Sequence, residues 1–313
     1  MRERRLVFGE VAELYERHRP TYPPALIDDL VALAKLDGSE PVLEVGAGTG
    51  KATVLFAARG IPVVAVEPSA EMAAVAAVSV GGYAGVQIEQ SDFEAWDARE
   101  RRFPLLFSGQ AWHWVRPEVG LAKARDVLLP GGILAPFWNR VAWERAEVRE
   151  ALLDVYDQVA PELSREGPMH PTNLLTDASD HWDARIAAVD GLSGAEIRAY
   201  EWRLDYSAEE YAGLLATASE IRLLDDERRG PFLAAITAAI EAHGEPVSIP
   251  MRTQLCLARR GYKSGPKGLI HRLAYGCSRA CTHVGVVILT SGLETPLCNP
   301  VPRAGLETGE THS

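Results

Sequence analysis

Cysteine is scarce in this chain: four residues in 313, too few for a disulfide framework in a protein of this size. Cys277, Cys281 and Cys298 fall in the last fifty or so residues, and Cys256 sits in TQLCLARR, which reads as a core strand. Apolar runs are short, and none reaches the roughly 18 residues that a membrane-spanning helix needs. No apolar core or small-residue cleavage site follows the basic start MRERRLVFGEVAELYERHRP, which argues against a secretory signal. A cytoplasmic protein without a membrane partner is the expectation. Positive charge is also in deficit, with 32 Lys and Arg against 43 Asp and Glu and a net charge of -11. Affinity for a phosphate backbone comes largely from Lys and Arg displacing counterions, so nucleic acid is not expected as a partner.

What the chain does have is a regular alternation of elements. A helical pattern over Leu26–Leu36 stops at Asp37 and Gly38, and PVLEV then reads as a buried strand ended by glycine. KATVLFAARG suggests a helix, IPVVAVEP a second strand, Ser69–Val80 a helix and VQIEQSDFE a third strand. RFPLLFSG, the helix Glu118–Leu128 and GGILAPFW complete the series. Such spacing implies right-handed βαβ crossovers and an α/β fold, a doubly wound, mostly parallel sheet covered on both faces. After Asn139 the rhythm changes. Helices are expected over Trp143–Val159, Ala208–Ala218 and Leu223–His243, with late strands at EIRAYEWRLDYS and VSIPMRTQLCLARR. The region from about 139 to 179 reads as a helical cap inserted over the sheet, within one domain spanning 1–260.

From Gly261 to the end the composition shifts to Gly, Pro and Ser without sustained periodicity, and Lys and Arg outnumber Glu by five to three. This stretch, 261–313, is expected to be disordered or an addition foreign to the domain. His271, Cys277, Cys281 and His283 match no standard zinc spacing, so no metal is expected.

The most informative stretch is VLEVGAGTGKAT, residues 42–53. A phosphate-binding P-loop needs four residues between its first glycine and Gly-Lys, followed by Ser or Thr. Here Gly46 and Gly50 enclose three, and Ala52 follows Lys51. A dinucleotide fingerprint needs a third glycine where this chain has Lys51. The acids that accompany the glycines favour a different ligand. Glu44 precedes them in the strand, and Glu67 ends the next strand, 17 residues after Gly50, where a carboxylate can accept from both ribose hydroxyls. Asp92, ending the third strand, is placed to accept from an adenine amine, with Phe93 beside it. No cluster of Arg or Lys accompanies them to neutralise a diphosphate. The set describes adenosine without phosphate.

VLEVGAGTGKAT, VVAVEPSAEM, QSDFEAW and LLPGGILAPFWNR together resemble the successive motifs of class I S-adenosylmethionine-dependent methyltransferases, in order and across most of residues 1–260. FGEVAELYERHRPTYPPALID resembles the N-terminal segment of the small-molecule branch that includes trans-aconitate methyltransferases. The resemblance implies a Rossmann-like, doubly wound seven-stranded sheet with one antiparallel edge strand, and S-adenosyl-L-methionine as cofactor. By it, Glu44, Gly46, Gly48 and Gly50 border the methionine part, Glu67 the ribose, and Asp92 with Phe93 the adenine, with Ala47, Pro68 and Ser108 as further cofactor-binding candidates. Each carboxylate has a competing role, since an acid at a strand end can simply cap the next helix.

Methyl transfer from a sulfonium is an in-line displacement, in which the protein aligns a nucleophile and excludes water. Ligands in open α/β sheets lie outside the carboxyl ends of the strands, which makes SGQAWHWV after the fourth strand the expected wall. His113 is the candidate general base for a hydroxyl or amine acceptor; a carboxylate acceptor needs none. Trp112 and Trp114 are candidate wall residues, able to attract a cation through an indole face, or else packing residues. Tyr15, Arg19, Tyr22 and Asn139 are candidate acceptor contacts, as is His170 in the cap. Arg19 could pair with a carboxylate or with Glu16 on the surface. The function expected is methyl transfer to a small-molecule acceptor, oxygen preferred. The alternatives are a nicotinamide-dependent oxidoreductase and a non-catalytic regulatory protein that binds the same cofactor.

Overall fold

Five short runs rich in Val, Ile, Leu and Phe lie side by side as parallel strands: Val42–Val45 (β1), Val63–Glu67 (β2), Val86–Gln90 (β3), Phe103–Gly109 (β4) and Leu128–Val141 (β5). The computed structural model describes residues 12–141, 143, 147–161, 163, 170–171 and 182–261, and the backbone of 287–289. Helices Ala12–His18 (α1), Pro24–Ala34 (α2), Lys51–Ala57 (α3), Ala70–Ser79 (α4) and Pro117–Val127 (α5) accompany the five strands. Then come Glu147–Val159 (α6), Trp182–Ala187 (α7), Leu192–Tyr206 (β6), Ala208–Ala216 (α8), Ser219–Arg222 (α9), Asp226–His243 (α10), Val247–Arg260 (β7) and Val287–Leu289 (β8).

The strand order is β3-β2-β1-β4-β5-β7-β6-β8. The expected antiparallel strand is β7, and it stands one place in from the margin of the seven-strand set, paired antiparallel with both β5 and β6. β8 adds a three-residue parallel pairing outside β6. The rest of 262–313, including the four residues weighed as metal ligands, lies outside the described residues.

Successive strand residues point to opposite faces, so a strand covered twice is apolar on both, and in VLEV Glu44 is the one exception. Leu43 and Val45 join Val64, Leu106 and Leu134 in one core; Val42 joins Val63, Leu105 and Phe107 in the other. Leu26, Ile27 and Leu30 give α2 one apolar face, fully buried on the second core, each such side chain contributing about 1.5–3 kcal/mol. A third cluster lies to the side, where Leu152 and Tyr156 of α6 meet Tyr211 and Leu214 of α8 and Phe232 and Ile236 of α10. The part of the expected cap that is described, α6, thus packs on α10; residues 162, 164–169 and 172–181 lie outside the described residues. His170 is buried there, edge-on to Tyr156 at 4.3 Å.

Candidate functional site

The carboxyl ends of β1, β2, β3 and β4 open into one cleft of about 1140 Å3, counting its mouth to solvent. Its floor is the turn after β1. The Gly46 and Ala47 N–H groups both donate to the Val66 carbonyl, at 2.8 and 3.3 Å, which folds the chain sharply over β2. Gly46 is left-handed (φ 72°), and a Cβ there would stand 2.3 Å from the Cβ of Ala111, which descends from the loop after β4. Gly48 is left-handed too (φ 59°), but no atom lies within 4 Å of where its Cβ would be. At Gly46 glycine lets two protein segments touch; at Gly48 it leaves room in the cleft.

Two acids of the site are buried. Glu67 accepts the Ser69 N–H on Oε1 at 2.9 Å and the Gly48 N–H on Oε2 at 2.8 Å, so it ties the glycine turn to the β2–α4 turn. Helix α4 is capped by Ser69, whose Oγ accepts from the Met72 N–H, and not by Glu67. Each Glu67 oxygen keeps a lone pair for a further donor. Burial pushes its pKa up, against the two backbone hydrogen bonds. Glu44 is 1% exposed and accepts from the Thr53 hydroxyl on Oε2 at 2.6 Å. Its Oε1 receives no hydrogen bond from the described residues. Burial pushes its pKa up to about 8, with the Thr53 bond opposing and the nearby Glu67 charge adding to the rise. Asp92, Phe93 and Glu94 from the loop after β3 complete the acidic wall.

The lining cations are committed elsewhere. Lys51 donates to the Glu16 carbonyl at 2.6 Å and lies 3.4 Å from its carboxylate, which also accepts from the Thr49 hydroxyl. Arg19 donates from Nε to Thr217 Oγ1 at 2.6 Å and from Nη2 to the Thr217 carbonyl at 3.3 Å, above the Tyr15 ring. Its partner is Thr217 at the end of α8, where Glu16 had been considered. The C-terminal end of α1 is thereby fastened both to the glycine turn, through Glu16, and to the end of α8, through Arg19.

Of the residues singled out in the sequence, Glu44, Gly46, Ala47, Gly48, Glu67, Pro68, Asp92, Phe93, Tyr15, Arg19, Tyr22 and Trp114 line this cleft. Gly50, Ser108, Trp112, His113 and Asn139 do not. Gly50 (φ 89°) starts α3. Ser108 donates to the Val45 carbonyl at 2.7 Å, holding β4 to β1. Trp112 is buried against Phe93. His113 is exposed, and its Nδ1 accepts from the Trp138 indole at 3.2 Å. Asn139 is buried, donating to the Thr21 carbonyl at 2.9 Å and accepting from the Thr253 hydroxyl at 2.6 Å. These side chains support the wall from behind because the 3-10 turn Trp112–Trp114 turns its first indole inward and its third outward. Gln110, which the sequence reading passed over between its conspicuous neighbours, lines the cleft in a left-handed conformation (φ 59°) and donates through Nε2 to the Asn139 carbonyl at 3.2 Å. A non-glycine residue held at positive φ is a mark of constraint that only coordinates reveal. Met72 and Val115 are lining residues that gave no signal in the sequence.

Residues 42–132 match the methyltransferase domain family, covering β1 to the start of β5 and every strand end of the cleft. This segment is similar to a methyltransferase domain. The chain is similar to an uncharacterized methyltransferase of Mycobacterium tuberculosis, 36% identical over 155 residues, which are 46% of this chain and 58% of that protein. It is also similar to an uncharacterized methyltransferase of Schizosaccharomyces pombe, 31% identical over 126 residues, 40% of this chain and 49% of that one. The chain thus spans about half the length of the curated relatives it matches. In fold it resembles the structure of a putative type II methyltransferase from Anaeromyxobacter dehalogenans, with a TM-score of 0.56 and 21% identity over 77% of this chain and 97% of that one.

S-adenosylmethionine, the cofactor that the sequence resemblance implies, suits the cleft. Four acidic residues, Glu44, Glu67, Asp92 and Glu94, line the space against two cations, Lys51 and Arg19, so the wall favours a cation over a diphosphate. The bare Oε1 of Glu44 is the kind of acceptor that an ammonium satisfies. Among the described residues, no helix is long and apolar enough to cross a membrane, and no group of three His, Cys, Asp or Glu could hold a metal ion.

Proposed function

We propose that the chain transfers a methyl group from S-adenosylmethionine to an oxygen of a small-molecule acceptor. The observation that carries this reading is the acid-lined cleft at the ends of β1–β4, in which four acidic residues outnumber the two cations. When bound, the cofactor supplies a methyl group on positively charged sulfur, open to in-line displacement. In this reading Glu44 takes the ammonium, Glu67 the ribose hydroxyls, and Asp92 with Phe93 the adenine. Tyr15, Arg19, Tyr22, Gln110 and Trp114 bound the remaining space and receive the acceptor. Arg19, fixed by Thr217, retains unused N–H donors suited to an anionic oxygen. The Tyr22 phenol is pushed well above its usual pKa by burial, so it serves as a hydrogen-bond donor and not as a base. An acceptor that arrives ionised, a carboxylate or an acidic phenol, brings its own electron pair, which agrees with a lining that lacks the His113 ring. Ser108, Trp112 and Asn139 act by holding the wall in place.

The test has two arms. Calorimetric titration should show S-adenosylhomocysteine binding in preference to NAD; the reverse preference removes the cofactor reading. A panel of small carboxylic acids, phenols and amines is then incubated with methyl-labelled cofactor. Label on oxygen is the expected product, and label on amines alone would refute the oxygen preference.

A further inference from the structure

The loop after β3 is held by a cation that does not itself reach the cleft. Lys123, in the second half of α5, donates through Nζ to the carbonyls of Glu94, at 3.2 Å, and Trp96. The same ammonium lies 5.4 Å from the Phe93 ring centre and 5.9 Å from that of Trp96. It is half-buried, and loss of water pulls its pKa down while Asp97 and Glu94 pull it back up. Setting an ammonium against two carbonyls and two rings costs hydration, which the carbonyl dipoles and ring faces offset.

The loop has further anchors: the Asp92 carbonyl accepts the Ala95 and Trp96 N–H groups at 3.1 and 2.9 Å, and the Phe93 ring packs on Trp96 and Trp112. The Trp96 indole donates to Glu89 at 2.6 Å, and Arg101 pairs with both oxygens of Glu89 while covering the Trp96 ring. The Glu94 carboxylate accepts the Arg116 N–H at 2.9 Å. Trp96 and Glu94 are therefore pinned from the β3 and α5 sides. Lys123 faces the Phe93 ring and at the same time binds the carbonyls of Glu94, next to it, and of Trp96, three residues on. Phe93 and Asp92 are the parts of this loop that line the cleft where the adenine is placed.

We infer that Lys123 positions the Asp92–Phe93 segment and thereby sets the preference for an adenosyl over an inosyl cofactor. This rests on the reading of Asp92 as the partner of the adenine amine. Replacing that amine by a carbonyl, as in the inosyl form, sets two acceptors face to face, so a well-placed carboxylate discriminates between them. Lys123 is a positioning residue, and its removal should damage discrimination more than binding as such.

The experiment measures the affinity of S-adenosylhomocysteine and S-inosylhomocysteine, by calorimetry, for the wild type, Lys123→Met, Lys123→Arg and Asp92→Asn. The wild type should prefer the adenosyl ligand by about tenfold or more, roughly one charge-assisted hydrogen bond. Lys123→Met should lose most of that ratio by weakening the adenosyl ligand alone, and Lys123→Arg, which keeps charge and donors, should restore much of it. Equal weakening of both ligands by Lys123→Met, or an unchanged ratio, overturns the inference. A wild type indifferent to the two bases overturns the reading of Asp92 and the inference with it, and Asp92→Asn keeping the full ratio does the same. Should Lys123→Met fail to fold, an Arg variant with a wild-type fold and a collapsed ratio also refutes it, because that side chain keeps the contacts that the inference requires.

Discussion

Around β1–β4 the buried carboxyl groups of Glu44 and Glu67 each have named donors and one side turned to the cleft, while in the layer of α6, α8 and α10 the Tyr211 hydroxyl and the Trp143 indole N–H are buried with no hydrogen-bond partner among the described residues. Trp112, whose indole N–H is also unpartnered, is the exception on the first side. Polar groups in the first region line the cleft, and in the proposed reading their desolvation is the cost of meeting a ligand there. In the second they come attached to rings whose contribution is packing, as in the edge-on contacts Trp143–Tyr211 and Tyr156–Phe232.

The contrast can be broken most forcefully by pH. Glu44 ionises near pH 4.5 when unfolded and only near pH 8 when folded. Between those values the folded protein holds a proton that the unfolded chain has released, so stability should fall as pH rises across that window. The slope is at most about 1.4 kcal/mol per pH unit from this group. Glu67, also raised, acts in the same direction. Denaturant unfolding at several pH values checks this, and Glu44→Gln should flatten the profile; a profile identical to wild type would show that Glu44 does not carry the effect.

Gly46→Ala should be next in size. Its new methyl meets Ala111 and sits at a left-handed φ, a cost of about 2–4 kcal/mol in stability. Thermal unfolding measures it, and wild-type stability would mean that the two loops do not touch as described. Glu67→Ala should weaken S-adenosylhomocysteine binding by about 1–3 kcal/mol, since two backbone N–H groups and the ribose lose their acceptor. Unchanged calorimetric affinity in a folded variant would show that the ribose is read elsewhere.

On the other side of the comparison, Tyr211→Phe removes an unsatisfied hydroxyl and should leave stability unchanged or raise it by up to about 1 kcal/mol. A marked loss would reveal a partner for that oxygen and erase the difference between the two regions. Smallest of all, His113→Gln should leave cofactor affinity unaltered. Once an acceptor is in hand, a turnover rate within a factor of about two of wild type would remove His113 as a base.

How much of this was legible in the sequence follows the same divide. The parallel strands, the glycine turn and the three strand-end acids could be read because each depends on local requirements: a twice-covered strand must be apolar, a sharp turn needs glycine, and a ligand at strand ends needs acceptors there. The roles of Asn139 and Ser108 could not. Asn139 reaches Thr21 and Thr253, residues 118 and 114 positions away, and Ser108 reaches Val45 across the sheet. Such long-range bonds have no spacing to betray them. Arg19 was visible as a candidate, but its fixed partner, Thr217, lies 198 residues on.

Helix α1 is the feature whose consequence reaches furthest. Glu16 holds Thr49 and Lys51 of the glycine turn, and Arg19 holds Thr217. Both grips fall within four residues of chain, so the turn after β1 and the end of α8, far apart in sequence, are joined to each other through one short stretch.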